Sequence, residues 1–232
     1  MGEPWLFRMR WLDLLFAHWP VDPDALGPLL PAGLEVDLFD GEAWLGIVPF
    51  TMADVAPRGF PAIPRLSRFP ELNVRTYVRR NGTPGVFFLS LDAASRPTVE
   101  GARRVFHLPY FQARMRSVRT PDGVDYRSSR TDRRGPPAAF RARYRPTGPA
   151  AAATPGSLDD WLTRRMRLFA TDRRGRIVQT AVDHPDWLLR PAEAQISENT
   201  MAAAHGLLLP DRPPHLRFVD RLDVRASRPT RA

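Results

Sequence analysis

Proline sets the first limit on what this chain can become. There are 25 prolines among its 232 residues, spread from Pro4 to Pro229. Each removes a backbone donor and clashes with the preceding helical turn, so long helices are excluded. The segments between the prolines read instead as strands joined by tight turns. Leu34 to Phe39 and Glu42 to Phe50 flank Asp40-Gly41, and Leu72 to Arg80 and Val86 to Leu91 flank Asn81-Gly82. Both dipeptides favour the positive φ angles of two-residue hairpin turns. Gln112 to Thr120 with Val124 to Ser129, and Arg167 to Thr171 with Ile177 to Val182, make two more hairpins. Leu216 to Arg225 is the last expected strand. Short helices are expected from Asp22 to Leu30, Pro97 to Phe106, Ser157 to Arg165 and Pro191 to Ala204.

The expected architecture is mainly β (α+β). It is a single domain over residues 1–232, one antiparallel β-barrel with a few short peripheral helices. The Pro/Ala/Gly-rich stretch Pro146 to Gly156 is a surface loop within it. Barrels of this size enclose a cavity, and ligands sit inside. Hydrophobic residues at 43 % and charged residues at 25 % suit a globular core. The segment Met1 to Trp19 places Arg8, Arg10 and Asp13 among apolar residues, unlike a secretory signal. No run of apolar residues is long enough for a transmembrane helix. Cysteine is absent, which fits the cytoplasm and removes thiol chemistry.

Charge narrows the chemistry further. All 34 basic residues are arginines, and there is no lysine. Without an ε-amine the chain cannot form a Schiff base on a side chain, and it lacks the lysine of phosphate-binding loops. The net charge of +9 is uneven: residues 1–60 hold 3 arginines against 9 acids, and residues 61–232 hold 31 against 16. A basic surface invites a nucleic-acid reading. However, Phe140-Arg141-Ala142-Arg143-Tyr144-Arg145 alternates as one solvated strand face does, and no nucleic-acid motif accompanies it. No histidine pair has metal-ligand spacing, and Asp183-His184 with a remote ligand is the one conceivable metal site.

Several strings together resemble a bacterial family. They are Phe16-Ala17-His18-Trp19-Pro20, Ala43-Trp44-Leu45-Gly46-Ile47-Val48-Pro49-Phe50, Phe69-Pro70-Glu71-Leu72-Asn73-Val74-Arg75, Leu108-Pro109-Tyr110-Phe111, Pro191-Ala192-Glu193-Ala194 and Asn199-Thr200-Met201. They are similar to the YqjF-like family of domains of unknown function. That resemblance implies a fold like acetoacetate decarboxylase, with a small-molecule cavity and no known reaction. Ala102 to Phe111 resembles the decarboxylase segment that ends in its lysine pair, with Tyr110 and Phe111 standing where lysines would be. Glu71 resembles that enzyme's cavity glutamate, so the acid is kept and the nucleophile lost. The chain departs from the nearer family at Arg164, Met166 and Asp183, where a glutamate, a tyrosine and a histidine are usual. A changed site is expected if those positions line the cavity.

The candidate residues follow. Glu71 is the expected catalytic acid or base, with an exposed edge carboxylate as the plain alternative. Tyr110 is an acid or oxyanion donor, or a core tyrosine with a satisfied hydroxyl. His107 is the best placed of the histidines for proton transfer, or a structural one. Asn73, Arg75 and Arg104 are expected substrate contacts, and Trp44 and His18 join them from the shared strings. Glu71, Asn73 and Arg75 alternate on one strand face, which looks either to solvent or into a polar cavity. A buried Arg75 would have to pair with Glu71 or with an anionic ligand. The expected function is a cofactor-independent enzyme acting by acid–base chemistry on a carbonyl-bearing small molecule: cyclisation, dehydration, isomerisation or carbon–carbon bond change. The alternative is a binding protein for a hydrophobic acid. Neither a metal nor another cofactor is expected. Neither are nucleic-acid or membrane partners, though a homo-oligomer is open.

Overall fold

The computed structural model describes residues 4–63 and 67–232. Of the N-terminal stretch considered above, residues 1–3 lie outside the described residues. The chain begins with a strand that the hairpin signals did not reveal, β1 (Trp5–Val21). A short helix α1 (Pro23–Leu26) follows, capped by the Asp22 side chain with proline in its first turn. Next come β2 (Glu35–Val36), β3 (Ala43–Pro57), β4 (Phe69–Arg80) and β5 (Thr83–Ala93). Helix α2 (Arg96–Val105) is capped by Ser95. It leads into β6 (Tyr110–Thr120), β7 (Gly123–Arg130), β8 (Ala139–Pro146) and β9 (Ala151–Ala152). Helix α3 (Leu158–Thr163) precedes β10 (Arg167–Thr171), β11 (Ile177–Asp183), β12 (Leu188–Asn199), β13 (His215–Ser227) and β14 (Thr230–Arg231). Strand far exceeds helix, and no helix is long and apolar enough to cross a membrane among the described residues.

The pairings close the sheet on itself twice. One ring runs β5-β6-β7-β8-β12-β13-β1-β3-β4 and returns to β5. The other runs β5-β10-β11-β13-β1-β3-β4 and also returns to β5. Strands β13, β1, β3, β4 and β5 belong to both rings and form a shared wall. Side chains alternate across a strand, so one wall can serve two interiors. Leu15, Ala17, Leu72 and Val74 enter one core with Tyr126, Phe140, Tyr144 and Phe218. Leu14, Phe16, Phe50 and Phe69 enter the other with Leu91, Trp187 and Val219. Long strands bend around both rings at bulges, where Asp13 and Asp54 take φ of 52°.

Two expectations about elements are corrected. Pro191 to Ala204 is no helix: residues through Asn199 lie in β12, paired to β8 from Ala192 against Pro146 to Asn199 against Phe140. The run Pro-Ala-Glu-Ala-Gln has helical propensity, but Ala192, Ala194 and Ile196 pack on the first core at the strand period of two. The first expected hairpin keeps its turn, with Phe39 bridging Glu42 across Asp40-Gly41. Yet Glu35 and Val36 pair with Arg79 and Val78 of β4 instead of β3. Asp37 anchors that choice through Arg79 and Arg165, each at 2.5 Å. By contrast β8 has the expected alternation, with Arg141, Arg143 and Arg145 exposed and Phe140, Ala142 and Tyr144 buried.

Candidate functional site

A cavity of about 380 Å³ lies inside the second ring. That volume falls within the range of small-molecule sites. Its walls are mostly apolar, with Met9, Trp11, Phe50, Met52, Phe69, Phe88, Leu91 and Trp187 among them. Helix α2 covers one end with Pro97, Thr98, Gly101, Ala102 and Val105. These residues recur at helical spacing and form the face that the helix turns inward. Arg165, Arg167 and Thr163 stand at the opposite end, and His184 borders the side.

Glu71, Asn73 and Arg75 all line this cavity from β4. The alternation that puts them there puts Leu72 and Val74 into the neighbouring core. Glu71 is 2 % exposed. The Tyr110 hydroxyl lies 3.1 Å from each of its carboxyl oxygens and donates to it. Burial pushes the Glu71 carboxyl up to about 8, with the Tyr110 hydrogen bond opposing the shift. Tyr110 itself rises well above the ordinary phenol range, through burial and the neighbouring carboxyl. The backbone beneath is also held, because the Tyr126 hydroxyl donates to the Glu71 carbonyl at 2.6 Å. At neutral pH Glu71 is therefore mainly a neutral acid, with a minority of carboxylate.

Arg75 lies over the Phe16 ring at 4.9 Å and the Tyr77 ring at 5.7 Å. It does not pair with Glu71, which corrects one of the two partners expected for it. Four residue steps of strand separate them, about 13 Å between α carbons. Behind Arg75 sits His18, whose Nε2 is 2.7 Å from the Tyr77 hydroxyl. Burial, then Arg75 and His215, hold His18 well below the ordinary imidazole range, so it is neutral. Gly46 makes the packing possible. It pairs with His18 on β1 and Arg75 on β4, and a Cβ there would meet His18 Nε2 at 2.7 Å.

The other expected contacts fall elsewhere. His18 supports Arg75 but does not line the cavity. Trp44 is buried with Tyr77, Val86 and Leu162 in a separate cluster. His107 faces a different depression, beside Leu6, Arg176 and Arg228. The reason is alternation: Phe106, Leu108 and Tyr110 line the cavity, so the residue between the first two points away, and His107 takes a left-handed φ of 57°. Arg104 is on the exposed face of α2. Its neighbour Arg103 instead donates to the Tyr110 carbonyl at 2.7 Å. Arg164 and Met166 are exposed and Asp183 borders a different depression, so none of the three departures lines this cavity.

Sequence reasoning missed Trp11, Trp187, Arg165 and His184 as cavity residues. Trp11 comes from the unanticipated β1, and its ring lies 5.6 Å from Phe50, the cross-strand partner of Glu71. Trp187 packs 4.9 Å from Phe16 and 5.9 Å from Trp11. Arg165 is held by Asp37 and by the Trp161 carbonyl at 2.7 Å. His184 accepts burial that lowers its pKa, with Nδ1 2.9 Å from the Pro185 carbonyl. No local motif marks Trp11 or Trp187, whereas Arg165 and His184 sit beside the positions where the chain departs from its family. Among the described residues, no group of three His, Asp or Glu side chains could hold a metal ion.

Comparison with known proteins adds the following. The family model DUF2071, described as an uncharacterized conserved protein, matches residues 8–223. The uncharacterized protein YqjF of Bacillus subtilis (strain 168) is 46 % identical over 220 residues, covering 95 % of this chain and 90 % of that protein. Among solved structures, the enduracididine biosynthesis enzyme MppR, complexed with the condensation product of pyruvate and imidazole 4-carboxaldehyde, matches with a TM-score of 0.69 at 13 % identity. That match covers 100 % of this chain and 90 % of MppR. Acetoacetate decarboxylase from Legionella pneumophila matches with a TM-score of 0.64 at 15 % identity, over 98 % of this chain and 87 % of the enzyme. An acetoacetate decarboxylase-like enzyme from Sphingomonas wittichii RW1 gives 0.66 at 17 % identity, over 98 % and 92 %. At these identities the likeness is one of fold, mainly β and acetoacetate decarboxylase-like.

Proposed function

Since the chain belongs to the DUF2071 family and shares the fold of acetoacetate decarboxylase-like enzymes, we propose that it is a cofactor-independent enzyme moving protons on a carbonyl-bearing small molecule. The observation that carries this reading is Glu71, buried at the cavity wall, bonded to Tyr110, with its carboxyl raised to about 8. A group that titrates near the working pH is the best compromise between proton donor and proton acceptor.

The ionised fraction of Glu71 takes a proton from the carbon next to the carbonyl. The C–H electron pair becomes the carbon–carbon double bond of an enolate, and the carbonyl oxygen takes the negative charge. That oxygen needs donors. Trp11 and Trp187 line the cavity, and their indole N–H groups are buried and have no partner of their own. A donor kept free of water in a low-dielectric site stabilises developing charge strongly. Tyr110 holds the carboxyl in place and favours its charged form, because its hydrogen bond works against the burial shift. Returning the proton to carbon or delivering it to a leaving group completes an isomerisation or a dehydration. No covalent link to the protein is needed, in keeping with a chain that has no lysine.

The test is solvent exchange. Ketones and oxo acids are incubated with the protein in deuterium oxide, and label at the carbon next to the carbonyl is followed by NMR. Wild-type protein should catalyse exchange of at least one member, and Glu71→Gln should remove it with the fold intact. Tight binding without any exchange would leave the alternative, a binding protein for a hydrophobic acid.

A further inference from the structure

Three polar groups of the cavity lie along one strand, and their spacing limits what can fill it. Glu71, Asn73 and Arg75 project from one face of β4. The α carbons of the outer two are about 13 Å apart. Their side chains do not close that gap. Glu71 turns to Tyr110, 3.1 Å away. Arg75 leans the other way, over Phe16 and over Tyr77, the next residue on its own face.

The Glu71 end of this line is hydrogen-bonded by Tyr110, but the Arg75 end is chemically incomplete. Arg75 is 6 % exposed, and its Nε has no hydrogen-bond partner. No described carboxylate forms an ion pair with it. A guanidinium buried without an anion is costly, and its planar fork fits a carboxylate. Midway, Asn73 Oδ1 is also buried and unpartnered. The neighbouring strand β5 adds only apolar groups beside them: Phe88 pairs with Arg75, and Leu91 pairs with Asn73. Four of the buried unpartnered side-chain atoms, on Trp11, Asn73, Arg75 and Trp187, belong to residues that line this one cavity.

Resting on the reading of Glu71 as the reacting group, we propose that the substrate is an elongated oxo acid. Its carboxylate sits on Arg75, its apolar body lies past Asn73 between Phe88 and Leu91, and its carbonyl reaches Glu71 several bonds away. A short 2- or 3-oxo acid can touch Arg75 or Glu71 but not both. The unpartnered Asn73 amide marks where a polar substituent on the body is accepted.

The experiment uses a homologous series: pyruvate, 4-oxopentanoate, 6-oxoheptanoate and 7-oxooctanoate, with the methyl ester of each. Affinity is measured by titration calorimetry, and exchange by NMR in deuterium oxide. Charge-assisted contact predicts that 7-oxooctanoate binds about 10–100-fold tighter than its ester and than pyruvate. Arg75→Gln should erase the difference between acid and ester, with melting measured to confirm folding. The comparison of acid and ester on wild-type protein needs no variant. Equal affinity across the series, or equal affinity for acid and ester, would overturn the proposal. Length- and charge-dependent binding without exchange would instead sink the enzymatic reading and leave the elongated acid as a ligand. Exchange of pyruvate at undiminished affinity would do the reverse.

Discussion

The two sides of the shared wall make opposite use of the same strands. On the filled side, Leu15, Ala17, Leu45, Ile47, Leu72 and Val74 meet Tyr126, Phe140, Tyr144 and Phe218 in continuous packing. Its tyrosine hydroxyls are spent on backbone carbonyls, Tyr126 on Glu71 at 2.6 Å and Tyr144 on Asp13 at 2.9 Å. On the hollow side the same strands surround about 380 Å³ of space and leave Trp11, Asn73, Arg75 and Trp187 with open polar atoms. A buried polar group without a partner destabilises a fold. The stability of the filled half offsets that cost, and the hollow half keeps buried polar atoms without a partner. The two halves also touch at the key residue, since Tyr126 grips the backbone of Glu71 from the filled side.

This contrast can be broken from either side. The largest expected effect is Glu71→Gln, which keeps the shape and should lower exchange by about 10²–10⁴ without lowering thermal stability. An unaltered rate would show that the hollow side does no chemistry through this residue. Next is a matched pair of truncations read by denaturant unfolding. Phe140→Ala in the filled half should cost about 3–5 kcal/mol. Phe88→Ala borders existing space and should cost less than about 3 kcal/mol, while altering ligand binding. Equal losses would mean that the hollow side is as tightly packed as the filled one.

A smaller and more specific signature is in the pH dependence of stability. Folded Glu71 keeps its proton up to about 8, whereas the unfolded chain releases it in the ordinary carboxylate range. Between those limits the folded state binds more protons, so this residue makes stability fall as pH rises. The slope approaches about 1.4 kcal/mol per pH unit and vanishes above the folded value. Glu71→Gln should flatten it, and an unchanged slope would place the titration elsewhere. The smallest effect is expected of Tyr110→Phe. Losing that hydrogen bond removes support for the charged form, so the pH at which exchange rises should move upward by about one unit. A downward move would mean that Tyr110 favours the neutral acid.

Local chemistry made much of this architecture legible. Asn81 and Gly82 do take positive φ, 48° and 77°, and join β4 to β5. Gly175 does so at 74° in the turn between β10 and β11. Helix α2 was legible from Pro97 onward, and the exposed arginines of β8 from alternation. Strand β1 was not, because its long apolar run carries no turn signal and its partners β3 and β13 are distant in sequence. The helix expected after Pro191 failed for a related reason: pairing with β8 outweighs helical propensity when a ring has to close.

The same division runs through the site. Sequence by itself determined that no side-chain amine is available, that helices are short, and that Glu71, Asn73 and Arg75 share one face of a strand. A strand's period and a missing residue type are local properties. Only the tertiary structure decided that this face is the hollow one, that Tyr110 rather than His107 meets Glu71, and that Trp11, Trp187, Arg165 and His184 stand around them. Those residues come from separate strands and from the loops beside them. Burial, which lifts Glu71 toward neutral pH, arises only once that ring has closed around it.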